Sequence, residues 1–395
     1  MASDQVKKQA IPYGRQTITD EDLRIVSEVL QSEYLTQGPR IAELEQSFAA
    51  YTHSKYAVAI SNGTAALHLC AMALDVKEGT RVITSPITFV ASANCVKYCG
   101  GEVWFADIDP KTFTLDLQAT RKLLESKPKG FFHGIIPVDF AGYAVDLQAF
   151  RQLADEFGCW IIEDACHAPG GSFTTSTGAK AHCGSGEFAD LAIFSFHPVK
   201  HIAAGEGGMI TTNSLELYNR LLKLRTHGIT KDESLLIDNH GGWYYEMQEL
   251  GYNYRLTDFQ AALASSQLQR ADAGLARRQE IADRYQQELA GLPIELPQVA
   301  TGVTHAWHLY VIKTEKRKEL YDYLRTQHIF TQVHYIPVHT MPYYKQFGWK
   351  EGDFEVAEKY YSGCLSLPMF PGLTDEEQGY VIRCIREFFK SEAGA

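Results

Sequence analysis

Tyr56-Ala-Val-Ala-Ile60 runs through Ser61-Asn-Gly63-Thr64 into Ala65-Ala-Leu-His-Leu-Cys-Ala-Met-Ala-Leu74. A short apolar run, a glycine turn and a stretch of helical periodicity make the strand–turn–helix unit of an α/β fold. The rhythm recurs on both sides of it. Residues 81–84 lead into a helical pattern over 91–98 and residues 134–138 into one over 147–157, while 159–162, 191–196 and 208–212 read as further strands. Strands alternating with helices predict a mostly parallel sheet covered on both faces. Ahead of this sheet, Thr19 is placed to cap a helix, with Asp22 three residues on and Leu23, Val26 and Leu30 behind it. Ile41, Leu44 and Phe48 mark a second helix.

After Thr257 the pattern changes. From there to about Leu292 the chain reads as one proline-free helix, stopped by Gly291-Leu292-Pro293. Fewer strands follow, over 308–312 and 330–335, with a last helix over 375–390. The expected organisation is a large α/β domain over 1–260, a connecting helix over 261–292 and a small α+β domain over 293–395.

The 395 residues are 45% hydrophobic and 22% charged, the mixture of a globular enzyme. No run approaches the roughly 18 apolar residues of a membrane helix. The polar start Met1-Ala-Ser-Asp lacks the apolar core of a signal peptide, so a cytoplasmic protein without membrane contact is expected. A net charge of −11 argues against sequence-independent binding to nucleic acid, which works by neutralising phosphates. It leaves room for a local pocket that takes a phosphorylated small molecule. Eight cysteines without a Cys-x-x-Cys pair make no disulfide framework. Cys95 and Cys99 have a spacing that a metal accepts, yet their apolar neighbours favour buried free thiols, and no metal is expected.

Four constellations carry candidate chemistry. In Ser61-Asn62-Gly63-Thr64 a glycine turn feeds a helix N-terminus, which offers free N–H groups and a positive dipole end to a phosphate, unless it is an ordinary cap. In Cys159-Trp-Ile-Ile-Glu163-Asp164-Ala-Cys-His167 two acids follow apolar residues, placing a carboxylate at the carboxyl end of a central strand. Such a carboxylate needs a cationic partner, which a protonated pyridine nitrogen or an arginine supplies. In Ser195-Phe-His-Pro-Val-Lys200 a lysine stands five residues beyond a strand end, where desolvation can lower its pKa and suit it to a Schiff base, unless it is an ordinary solvated surface lysine. Gly205, Gly207 and Gly208 nearby point to closely packed backbone. Gly251-Tyr-Asn253-Tyr-Arg255-Leu-Thr257-Asp258 joins an amide, a guanidinium and a helix start.

Together with Tyr34-Leu-Thr-Gln-Gly38 and Glu206-Gly-Gly208, these motifs resemble, in order, the sugar aminotransferases of the DegT/DnrJ/EryC1/StrS family. These are pyridoxal 5'-phosphate (PLP) enzymes of the type I, aspartate-aminotransferase fold. The resemblance runs from about Ile11 to about Phe388 and implies roles for matching positions. Lys200 would hold PLP covalently and shuttle a proton. Asp164 would bind the pyridine nitrogen, Phe89 stack on the ring and His167 sit beside it. Gly63, Thr64 and Ser195 would hold the phosphate. Asn253 would reach it from the neighbouring subunit of a homodimer, with Arg255 near the shared site. Arg255, His334, Tyr335 and His339 are candidates for substrate contact, the histidines being equally consistent with core or surface positions.

Within the family the chain is similar to the UDP-sugar C4 transaminases of pseudaminic acid biosynthesis, through Gln332-Val-His-Tyr335-Ile-Pro-Val-His339 and Leu365-Ser-Leu-Pro. That likeness implies L-glutamate as donor and a nucleotide-linked keto sugar as acceptor. Pro198, His201 and the stretch 231–245 depart from it, which leaves another UDP- or dTDP-linked keto sugar open. A family branch that dehydrates sugars carries histidine in place of the lysine, so Lys200 argues for transamination. Gly184-x-Gly186 lacks the third glycine of a dinucleotide-binding turn. A non-catalytic protein would have little reason to keep Lys200, Asp164 and the phosphate residues together.

Overall fold

The computed structural model describes residues 10–393. Seven strands form the main sheet, in the spatial order Tyr56–Ile60, Gly208–Thr212, Leu191–Ser195, Trp160–Asp164, Gly134–Ile136, Arg81–Thr84, Glu102–Phe105. Five of them run parallel side by side; Gly208–Thr212 is antiparallel to both of its neighbours. The fold is α/β with a large, mostly parallel sheet, as the strand–helix rhythm predicts. Neighbouring residues on one strand point to opposite faces, and here both faces are buried. Ile83, Ile135, Ile161, Phe194 and Met209 enter one core cluster, while Val82, Ile136, Ile162, Ile193 and Ile210 enter the other. That is why these strands read as continuous apolar runs.

The C-terminal residues build a third cluster around Ile281, Tyr285, Tyr310 and Phe370. There Tyr310–Lys313 pairs antiparallel with Cys364–Leu367, and Ile11–Pro12 reaches across from the other end of the chain to pair with Ile329–Phe330. No helix among the described residues is long and apolar enough to cross a membrane.

Three local expectations are corrected. The single helix after Thr257 is two, Asp258–Leu268 and Ala271–Glu288. Arg270, between them, leaves helical geometry while its guanidinium grips Asp22 at 2.5 and 2.9 Å and the Thr17 carbonyl at 2.9 Å. On the first helix, Asp20–Leu30, it is Asp22 that is buried, whereas Leu23 and Leu30 face outward at 60% and 57% exposure. Burial alone would raise the Asp22 pKa, but the bonds from Arg270 and Ser266 hold it down at about 2. The strand expected over 330–335 is only Ile329–Phe330, and its continuation becomes a loop. The edge strand Glu102–Phe105 escapes sequence reading because Trp104, an apolar residue, occupies its half-buried side and masks the alternation.

Beneath the sheet edge two carboxyl groups meet. Asp139 Oδ1 accepts from the Val145 N–H at 2.9 Å, both Glu163 oxygens accept from the Gly184 N–H at 3.0 Å, and Asp139 Oδ2, sealed from water, is left to a proton shared with Glu163. Asp139, Glu163 and Cys183 converge within 4.8 Å, beside Asp164. Burial, then the charge of Asp139, raises Glu163 well above the ordinary carboxyl value, and burial pushes Asp139 up to about 7. The pair keeps a proton that the unfolded chain has released, so the folded state binds more protons and stability falls as pH climbs from about 4 through 7. Glu163→Gln should flatten that fall between about pH 5 and 8, by up to about 1.4 kcal/mol per pH unit for one proton. Urea unfolding at several pH values checks this; identical slopes for both proteins would contradict the shared proton.

Candidate active site

Ligands of open α/β sheets bind beyond the carboxyl ends of the parallel strands, and a cavity of about 610 Å³ opens there. The register lines up its floor: Gly208 lies opposite both Ile60 and Ser195, and Asp164 opposite Ile193. A Cβ on Gly208 would meet the Asn62 carbonyl carbon at 2.9 Å and its oxygen at 3.0 Å, so only glycine lets these backbones approach.

The turn after Ile60 opens the helix Gly63–Ala73. Asn62 caps it by accepting from the Ala65 N–H at 2.8 Å. Gly63 and Thr64 are its first two residues, so their N–H groups have no intrahelical partner and stand at the positive end of the helix dipole. A Cβ on Gly63 would lie 3.0 Å from Ser195 Cβ and 3.3 Å from its Oγ. Glycine therefore keeps open a cradle of N–H and hydroxyl groups that suits a phosphate.

Asp164 ends its strand buried in the cavity wall. Its Oδ2 accepts from Ser92 Oγ at 2.6 Å and its Oδ1 from the Cys166 N–H at 3.2 Å. Ser92 is itself paired with Thr88 Oγ1 at 2.8 Å. Among the described residues Asp164 has no ion-pair partner, which leaves this oriented carboxylate to a cation brought by a ligand. Lys200 is half-buried in the loop beyond Ser195, and its Nζ makes no hydrogen bond or ion pair among the described residues. Burial holds its pKa below the ordinary lysine value, against the opposing pull of Cys166 and Asp164. The shift favours the neutral amine that can attack a carbonyl or move a proton.

His167 Nδ1 accepts from the Ala141 N–H at 3.2 Å, and its Nε2 lies 3.3 Å from the Tyr335 hydroxyl. Burial keeps the ring neutral by holding its pKa well below the usual value. With Nδ1 accepting, the network assigns the proton to Nε2, which donates to Tyr335. Phe89 lines the cavity with 57% of its surface free to stack on a ring.

Nine of the residues singled out in the sequence thus surround one cavity: Gly63, Thr64, Phe89, Asp164, His167, Ser195, Lys200, His334 and Tyr335. His334 is fixed there by a bond of 2.8 Å between its Nδ1 and Ser366 Oγ. Asn253 and Arg255 lie outside it, on a segment bridged to Thr226 and Ile60. His339 does not reach the cavity: fully buried against Phe105 and Phe354, it is bonded through Nε2 to Glu358 at 2.9 Å, so it is a packing residue and not a substrate contact. Sequence reading missed Tyr13, Ser92 and His308, which line the same space from distant parts of the chain. The phosphate cradle, the oriented carboxylate and the lowered lysine together suit PLP.

Residues 16–386 match the sequence profile of the DegT/DnrJ/EryC1/StrS aminotransferase family. The spore coat polysaccharide biosynthesis protein SpsC of Bacillus subtilis (strain 168) is 38% identical over 395 residues, covering 98% of this chain and 99% of that protein. The PLP form of Spr1654 from Streptococcus pneumoniae superposes with a TM-score of 0.87 at 28% identity, over 97% of this chain and 99% of that one. PseC of Helicobacter pylori, an aminotransferase involved in the biosynthesis of pseudaminic acid, does so with a TM-score of 0.87 at 28% identity, over 97% and 100%. The profile spans the sheet, the cavity and the C-terminal strands alike, and the chain belongs to the DegT/DnrJ/EryC1/StrS aminotransferase family.

Proposed function

We propose that this PLP-dependent sugar aminotransferase moves the amino group of L-glutamate to C4 of a UDP-4-keto-6-deoxy-N-acetylhexosamine. The product would be UDP-4-amino-4,6-dideoxy-N-acetyl-β-L-altrosamine, a precursor of pseudaminic acid. The reading rests on Lys200 and Asp164 sharing one cavity at the sheet edge, joined to the likeness to PseC over almost the whole chain. The B. subtilis relative favours a second reading, a different nucleotide-linked keto sugar, because at 38% it stands nearer in sequence than PseC at 28%.

PLP supplies a carbonyl that takes up and passes on an amino group, and a ring that spreads the electron pair of a broken C–H bond. The chain does the rest. Lys200 Nζ, whose neutral form burial favours, takes the proton from the carbon that loses it and returns it on the other side of the transfer. Asp164, aimed by Ser92 and the Cys166 N–H, holds the pyridine nitrogen in its protonated form. Gly63, Thr64 and Ser195 hold the phosphate and Phe89 covers a ring face. His167 and Tyr335 form a neutral polar wall at the side of the site.

The site is completed in a homodimer, in which Asn253 and Arg255 serve the neighbouring cavity. Support comes from their position outside their own cavity and from exposed apolar side chains on the segment that precedes them. Ile237 and Trp243 stand 84% and 77% exposed, and Leu250, three residues before Asn253, is exposed too, apolar side chains that a subunit contact would cover. No disulfide joins the eight cysteines among the described residues, which accords with a reducing compartment, the cytoplasm. A large unit to about residue 260 and a smaller one from about 293 remain the division we propose.

Mixing Lys200→Ala chains with Asn253→Ala chains tests the shared site. Each mixed dimer would own one cavity with both Lys200 and Asn253 intact, so activity should rise well above that of either variant alone; no recovery would contradict the exchange. The acceptor is tested by offering the glutamate-treated enzyme UDP- and dTDP-linked 4-keto-6-deoxy sugars and a 3-keto analogue. The UDP-linked N-acetylated 4-keto sugar should show a kcat/KM at least about tenfold above the others, equivalent to about 1.4 kcal/mol of transition-state preference. A preference for the dTDP sugar would move the assignment to the second reading.

A further inference from the structure

His308 lines the cavity, yet it has no part in binding the cofactor described above. Its backbone is held from three sides. Gly142, at φ +103°, packs so closely that a Cβ there would lie 3.0 Å from the His308 nitrogen. The flanking residues bond back to the same turn, Ala306 N–H to the Gly142 carbonyl at 2.7 Å and Leu309 N–H to the Ala141 carbonyl at 3.1 Å. Arg278 Nη1, fully buried, donates to the carbonyls of Trp307 at 3.0 Å, His308 at 3.4 Å and Met369 at 3.0 Å. The ring lies against His167, with centroids 4.2 Å apart. The backbone from which the ring projects is thus fixed, the condition for a preorganised binding group.

The ring nitrogens settle which way it acts. Nδ1 is sealed from water with no hydrogen-bond partner among the described residues. A stranded N–H there would cost more than a bare lone pair, since buried orphan donors are the rarer and dearer kind. The proton therefore belongs on Nε2, the nitrogen left to face the cavity. Burial keeps the ring neutral by holding its pKa well below the usual imidazole value.

We propose that His308 is a substrate-contacting residue, donating an Nε2–H bond to an uncharged oxygen of the acceptor sugar at or beside the reacting carbon. This rests on the keto-sugar reading above. A neutral donor in a water-poor wall suits a carbonyl or hydroxyl oxygen, whereas the two carboxylates of glutamate call for cations. Among the side chains lining the cavity Lys200 alone is a lysine or arginine. His308 thus discriminates between the two substrates of one site: it serves the sugar and is indifferent to the amino donor.

The two half-reactions of the holoenzyme separate these roles. Wild type, His308→Gln and His308→Phe would be followed by stopped-flow absorbance, first with L-glutamate and then, with glutamate removed, with the UDP-linked 4-keto-6-deoxy sugar. His308→Phe should leave the glutamate half-reaction within about threefold of wild type and raise KM for the sugar at least about tenfold, the loss of one buried hydrogen bond. Gln, whose side-chain N–H reaches the Nε2 position, should restore most of it. Equal slowing of both halves, or no change in either, would overturn the assignment. Ring-15N histidine spectra of wild type and His308→Gln, recorded without sugar, read the proton directly. Protonation at Nε2 supports the inference and protonation at Nδ1 overturns it. Failure of the sugar reading alone would show as a wild-type enzyme that reacts with glutamate and not with the sugar while the proton still sits on Nε2.

Discussion

An amine and a carboxylate must share one water-poor sheet edge without neutralising each other. Lys200 lies in the loop beyond one strand and Asp164 ends the neighbouring strand. In a dry interior the two would collapse into an ion pair, costly to form and useless for chemistry. Instead, Asp164 is turned and occupied by Ser92 and the Cys166 N–H, and Lys200 keeps a free Nζ. Burial lowers the lysine pKa, which favours the base and nucleophile a transaminase needs.

Much of the surrounding architecture follows from that arrangement. A parallel sheet gathers loop ends on one edge, and the antiparallel strand Gly208–Thr212 brings Gly208 to the same edge from the opposite direction. The absence of side chains at Gly63 and Gly208 lets the helix start, Ser195 and the glycine loop crowd together into a phosphate cradle. On the far side, His167, His308 and His334 are all held neutral by burial, so the wall facing the substrate carries hydrogen-bonding groups but little charge. The Asp139–Glu163 pair beneath the edge adds a carboxyl that keeps its proton, which limits the negative charge next to Asp164.

The sequence makes the cofactor half of this site legible, because its groups lie at strand ends and helix starts, where local pattern and position coincide. Gly63-Thr64, Asp164 and Ser195 through Lys200 are of this kind, and the motif resemblance supplied their roles. The substrate half is less legible. Ser92 meets Asp164 across 72 residues and sits on a helix whose periodicity says nothing about it. Tyr13 and His308 come from outside the strand–helix repeats. His334 and His339 look alike in sequence, five residues apart in one motif, yet one lines the cavity and the other packs in the core against Glu358. The break at Gln269–Arg270 has the same origin: Arg270 answers to Asp22, some 248 residues away, rather than to its helical neighbours.

The visible absorption spectrum of the purified protein, recorded before and after adding L-glutamate, tests the central claim most directly. The account expects a long-wavelength band from lysine-bound PLP that fades as a shorter-wavelength band grows, and no long-wavelength band in Lys200→Ala supplied with PLP. A wild-type protein that shows no such band even with added PLP, or a Lys200→Ala protein that keeps the band and its response to glutamate, would contradict the role of Lys200 on which the rest depends.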